Sequence, residues 1–116
     1  ADALLATTEA AWREKTGAII VTDGNERDRR IFYTALYHAF FMPSWVGDVD
    51  GSYRIDDLAP IVATDHHQLN DFSLWDTYRG LHPLYDLIAP ESARDSVLSL
   101  ASFAAATASQ NAFSSA

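Results

Sequence analysis

FSLWDTYRGLHPL, Phe72 to Leu84, places three chemically unlike side chains within one helical turn. Leu74, Tyr78, Leu81, Tyr85 and Ile88 recur at intervals of four and three, which predicts a helix with Ser73 as its N-cap. Pro83 lies inside that pattern, removes a backbone hydrogen bond near Arg79, and is expected to bend or split the helix there. Trp75, Asp76 and Arg79 then share a face, while the apolar positions fall mostly on the other side. An indole, a carboxylate and a guanidinium together suit a sugar, whose C–H surface needs an aromatic face and whose hydroxyls need directional charged partners. The same spacing fits an Asp76–Arg79 ion pair beside a core tryptophan, and spacing alone leaves both readings open.

Outward from this run the chain reads as mainly helical. Leu4, Leu5, Thr8, Ala11 and Trp12 predict a helix over Asp2 to Thr16, with Gly17 as its stop. Ala18 to Val21 is short and β-branched, and Asp23-Gly24 after it is turn chemistry, so a brief extended segment is expected. Asn25 caps a second helix, with Glu26 and Asp28 in the first turn, an apolar stripe of Ile31, Phe32, Ala35, Leu36, Ala39 and Phe40, and Pro43 ending it. Residues 43–71 hold no sustained period and are expected to carry short extended segments, one starting at Gly51-Ser52-Tyr53-Arg54. Pro90-Glu91-Ser92 opens a last helix, continued by Val97, Leu98, Ala101, Ala104, Ala105 and Ala108. Residues 101–116 carry no charge and read either as a helix that needs a partner or as a frayed tail.

With 116 residues the chain is one domain at most. Its 48% hydrophobic content sets it apart from disordered sequences. A net charge of -8 repels phosphate backbones and anionic membranes, so nucleic acid is a poor partner. No apolar run approaches the roughly 18 residues of a membrane span. There is no charged start followed by an apolar run and a cleavage site, so a secretion signal is expected to be removed or to lie upstream. Cysteine is absent, which removes disulfides, thiolate ligands and a cysteine nucleophile together.

Asp48, Asp50, Asp56 and Asp57 offer oxygen ligands, yet the DVDG spacing does not continue into a calcium loop, and turn formation explains these acids as well. His66 and His67 are adjacent and point in different directions, with no HExxH or cysteine partner, so no metal ligand is assigned. His38 and His82 lie in helices among aromatic residues, where a structural hydrogen bond is the ordinary role. The four glutamates, Glu9, Glu14, Glu26 and Glu91, sit in or beside helix ends, where solvation or capping suffices.

The run FSLWDT, followed by Arg79 and by Leu81-His82-Pro83, resembles the signature of glycoside hydrolase family 92. IFYTALYHAF (Ile31 to Phe40) and DVDGSYR (Asp48 to Arg54) match further motifs in the right order, and the resemblance extends roughly from Trp12 to Leu100. It implies a single partial domain, residues 1–116, made of helical hairpins from part of an (α/α)6 toroid. The family's activity is calcium-dependent, inverting hydrolysis of α-mannosides, so the resemblance implies a mannose-containing glycan as partner and a secreted or periplasmic parent. Trp75 and Asp76 would line the mannose subsite, with Arg79 bracing Asp76. The family's catalytic acid and base lie in motifs downstream that this sequence lacks, so no catalytic residue is assigned, and calcium ligands are expected outside the chain. The alternative is a non-catalytic carbohydrate-binding or helical interaction module. Either way, helices cut from a toroid would leave apolar faces bare and favour self-association. Two departures from the family pattern stand out: Leu69-Asn70 replaces an aromatic-Thr pair, and Ile55 follows Arg54 where glycine is common.

Overall fold

The computed structural model of the chain describes residues 2–55 and 59–114, with side chains as far as 108. In chain order it runs α1 (Asp2–Thr16), α2 (Glu26–Ala39), β1 (Ser44–Trp45), β2 (Ser52–Tyr53), β3 (Ile61–Val62), β4 (Leu69–Asn70), α3 (Leu74–Thr77), α4 (Leu81–Ile88) and α5 (Pro90–Ser114). Helix thus dominates, as the periodicity predicts.

Asn25 caps α2 as expected: its side chain accepts a hydrogen bond from the backbone N–H of Asp28. The extended segment expected at Ala18 to Val21 does not form a strand. β-branched residues need a partner edge, and here the Tyr33 hydroxyl supplies the bonds instead, accepting from the Val21 N–H and donating to the Ile19 carbonyl. Residues 44–70 form two nested antiparallel pairs. β1 meets β4 with Trp45 opposite Leu69, and β2 meets β3 inside them with Tyr53 opposite Ile61. Gly51 makes the inner turn possible, because its φ is +81° and a Cβ there would collide with the Ala63 carbonyl.

The predicted third helix is split, and the break falls at Tyr78 to Gly80, before Pro83. Pro83 belongs to the first turn of α4, where a missing N–H leaves no intrahelical bond unmade. Tyr85 then ties the two halves of the molecule together. Its buried hydroxyl donates to the carbonyls of Ala39 and Met42 at the end of α2, and its ring stacks on Phe40 at 5.5 Å. Burial pushes the Tyr85 phenol up to about 12.

The core is small: Leu36, Tyr53, Ile55, Leu69, Phe72, Tyr85 and Ala89 are its buried apolar side chains among the described residues. Both departures from the family pattern contribute to it, since Ile55 and Leu69 are each buried. A polar seam joins β4 to α5. Gln68 and Ser99 are fully buried; the Ser99 hydroxyl accepts from the Leu69 N–H at 2.9 Å and faces the His67 carbonyl at 3.3 Å, while the Gln68 amide donates to the carbonyls of Leu69 and Ser99. The body measures 64 × 37 × 19 Å with a radius of gyration of 17.6 Å, where a compact domain of this length would have about 13 Å. Large apolar side chains stay bare on its faces, among them Leu4, Ile20, Ile31, Leu87 and Val97.

Candidate functional site

Phe72 sets the position of the tryptophan platform. Its buried ring lies 6.4 Å from His82 in α4, and its carbonyl accepts from the Thr77 hydroxyl at 3.0 Å, which fastens both ends of the single turn α3. The backbone entering α3 takes positive φ at Asp71 (60°) and again at Ser73 (42°), conformations that disfavour side chains with a Cβ and that concentrate where a structure must aim something. Trp75 is aimed outward and is 92% exposed. An aromatic ring so bare on a protein surface is a ready stacking face.

Asp76 sits beside it, and its carboxylate accepts from the Ser73 hydroxyl at 2.9 Å. Ser73 therefore does not cap α3 with its side chain as expected; the left-handed backbone turns its hydroxyl onto Asp76 instead. The expected bracing of Asp76 by Arg79 is also corrected. Arg79 lies in the turn between α3 and α4, no longer in helical register with Asp76, and among the described residues the two make no ion pair. The structure brings Trp75 and Asp76 together on one turn, with Arg79 exposed just beyond its end.

A second constellation surrounds the loop histidines. A cavity of about 640 Å³ lies between the nested strands and α5, walled by Trp45, the Asp48–Gly51 turn, residues 63–68, and Glu91, Arg94 and Asp95 of α5; Trp75, Asp76 and Arg79 do not line it. His67 Nδ1 lies 3.0 Å from the buried Asp95 carboxylate, which also accepts from the His67 backbone N–H, and the Trp45 ring meets the imidazole edge-on at 4.7 Å. His66 is wedged between the Asp65 carboxylate at 2.9 Å and the Gln68 amide oxygen at 3.2 Å. The hydrogen bond from His66 holds the Asp65 carboxyl below the usual carboxylate range. Sequence reading assigned no role to Asp95 or Ser99. The signal that could have found them is a set of polar side chains, Asp95, Ser96 and Ser99, at helical spacing on an otherwise apolar α5 face.

The acidic turn shows the use of its carboxylates. Asp48 accepts from the Val49 N–H and Asp50 from the Ser52 N–H, and hydrogen bonds from the Ser52 side chain and then its backbone hold Asp50 below its ordinary range. Asp56 and Asp57 lie outside the described residues. Among the described residues, no group of three or more histidine, aspartate or glutamate side chains is placed to hold a metal ion. Nor is any helix long and apolar enough to cross a membrane. His38 packs between Tyr37 and Phe41, and His82 has a buried Nε2 with no hydrogen-bond partner among the described residues.

Comparison with known proteins accounts for the helical pairs. The profile described as the glycosyl hydrolase family 92 catalytic domain matches residues 1–114. The structure of a family GH92 α-mannosidase from Bacteroides thetaiotaomicron superposes with a TM-score of 0.79 at 36% identity, covering 84% of this chain and 13% of that one. The same mannosidase in complex with mannoimidazole gives a TM-score of 0.77 at 35% identity, with the same coverage. The GH92 family glycosyl hydrolase ccman5 gives 0.79 at 30% identity, covering 85% and 14%. The chain thus spans about one seventh of the length of these solved structures. No curated protein matches it.

Proposed function

The chain belongs to glycosyl hydrolase family 92 and its helical hairpins are those of an (α/α) toroid, and from that premise we propose that it contributes part of the mannose-binding subsite of an inverting, calcium-dependent α-mannosidase. The observation that carries this reading is the α3 platform, a bare indole beside a carboxylate held at one oxygen by Ser73. Trp75 would cover the C–H face of a mannose ring, Asp76 would accept from its hydroxyls with the free oxygen, and the exposed Arg79 would donate from the rim.

These residues bind and do not cleave. Inverting hydrolysis needs a protonated carboxyl and a carboxylate about 6.5 to 9.5 Å apart, the acid having its pKa raised. The environment of this chain pushes carboxyls the other way: a hydrogen bond from Lys15 holds Glu91 below its usual range, and Asp50 and Asp65 are lowered too. Glu9 and Glu26 pair with Arg13 and Arg30 on exposed helix faces. The acid, the base and the calcium ligands would come from other parts of the parent, which we place outside the cell or in the periplasm. In isolation the bare apolar faces would drive self-association, and a clean monomer in light scattering would contradict that.

The test is incubation of the chain with α-1,2-linked mannobiose and calcium, together with a mannose titration read by tryptophan fluorescence. A saturable quenching component that is lost in Trp75→Ala, without turnover, is the expected result. Turnover would refute the assignment of catalysis to sequence elsewhere, and quenching unchanged in Trp75→Ala, or no quenching, would refute the subsite.

A further inference from the structure

Trp45 and His67 form a corner that the α3 platform does not share. Trp45 is 54% exposed, and its indole Nε1 sits over Gly47 so closely that a Cβ at that position would come within 2.7 Å of it. The ring is therefore seated on bare backbone. His67 stands at its edge with a largely exposed imidazole. Because an ionised Asp95 carboxylate can only accept, His67 Nδ1 donates in the bond they share, and among the described residues Nε2 has no hydrogen-bond partner. An aromatic face and an oriented ring nitrogen thus open onto a cavity whose volume matches small-molecule sites.

The charges in the wall select among ligands. Asp48, Asp50, Asp65, Glu91 and Asp95 outnumber Arg94, so an anion is repelled. Asp48 uses one oxygen on the Val49 N–H, Asp50 takes both the backbone N–H and the side chain of Ser52, and Arg94 donates to the Asp65 carbonyl at 2.7 Å while its guanidinium carries further N–H groups. Acceptors with free lone pairs, one guanidinium donor and an aromatic face match a ring that both donates and accepts through hydroxyls.

We propose that the cavity bounded by Trp45, His67 and α5 is a second carbohydrate subsite, taking a neutral pyranose unit with its C–H face on Trp45 and a hydroxyl donating to His67 Nε2. The choice of a mannose-type ring rests on the mannosidase reading above; the site itself rests on the cavity and its wall.

The test is an NMR titration of the 15N-labelled chain, with the indole signals of Trp12, Trp45 and Trp75 assigned by single Trp→Phe substitutions. Methyl α-mannopyranoside, inorganic phosphate and tetramethylammonium chloride serve as neutral, anionic and cationic probes. The expected result is a saturable shift of the Trp45 indole and the His67 ring with the mannoside alone, retained in Trp75→Ala. His67→Ala, which removes an exposed side chain, and Gly47→Ala, which displaces the indole, are expected to weaken it about fivefold each, the loss of roughly one hydrogen bond or its equivalent in contact. Circular dichroism checks the fold of both, and His67→Ala decides if Gly47→Ala does not fold. No saturable Trp45 shift, a shift unchanged in His67→Ala, or a response to tetramethylammonium in place of the sugar would overturn the proposal. A response at Trp75 alone overturns it while leaving the mannosidase reading intact; a response at Trp45 alone supports it while removing the assigned role of Trp75.

Discussion

The turn that carries Trp75 and the seam between β4 and α5 are separated by only a few residues of chain, yet they are built on opposite plans. In the seam every buried polar group answers another: Ser99 to Leu69 and His67, Gln68 to Ser99, Asp95 to His67. On the platform the backbone is forced into left-handed conformations at Asp71 and Ser73, and the largest side chain touches almost nothing. One region ties α5 to the strands, and the other leaves its largest side chain in water. The mannose subsite proposed on α3 would thus draw on residues that the seam does not use, as is common where a strained element serves a site.

That division can be broken by substitution. Ser99→Ala leaves the buried Leu69 N–H without an acceptor and is expected to lower the unfolding free energy by about 2 kcal/mol, read from urea unfolding at constant slope. A loss too small to measure would show that the seam is not what holds α5 to the strands. Tyr85 gives a pH-dependent effect that shows only in alkaline solution. Its phenol is raised from 10.0 to about 12 in the fold, so its contribution is complete below pH 10 and fades as pH climbs from 10 toward 12. Urea midpoints followed across that window should fall more steeply in the wild type than in Tyr85→Phe, and identical slopes would contradict the link. Trp75→Ala should be the gentlest, changing stability by less than about 0.5 kcal/mol because the indole is already in water. A larger loss would make Trp75 a packing residue and dissolve the contrast.

Much of the helical frame was legible beforehand, and for identifiable reasons. The Asn25 cap and the apolar spacing of α2 are local signals, and the structure obeys them. Local signals misled where a distant group intervened: Ala18 to Val21 has strand propensity but finds the Tyr33 hydroxyl rather than an edge, and Pro83 fits the start of α4, so the break moves to Gly80. The pairing of β1 with β4 could not be read at all, because two-residue strands with twenty-three residues between them leave no periodicity. At the site, the types and nearness of Trp75 and Asp76 were visible, whereas the left-handed backbone of Ser73, whose hydroxyl bonds Asp76, and the end of α3 at Thr77, before Arg79, were not. Asp95 escaped notice because its partner His67 lies 28 positions away.

A body 19 Å through is less than two helix diameters deep. Hardly any amide in it is more than one layer from water, so proton exchange along the backbone proceeds by local opening nearly everywhere. Among the described residues, the amides of the Ser99 seam and those beside Tyr85 and Ala89 lie deepest and are expected to exchange most slowly.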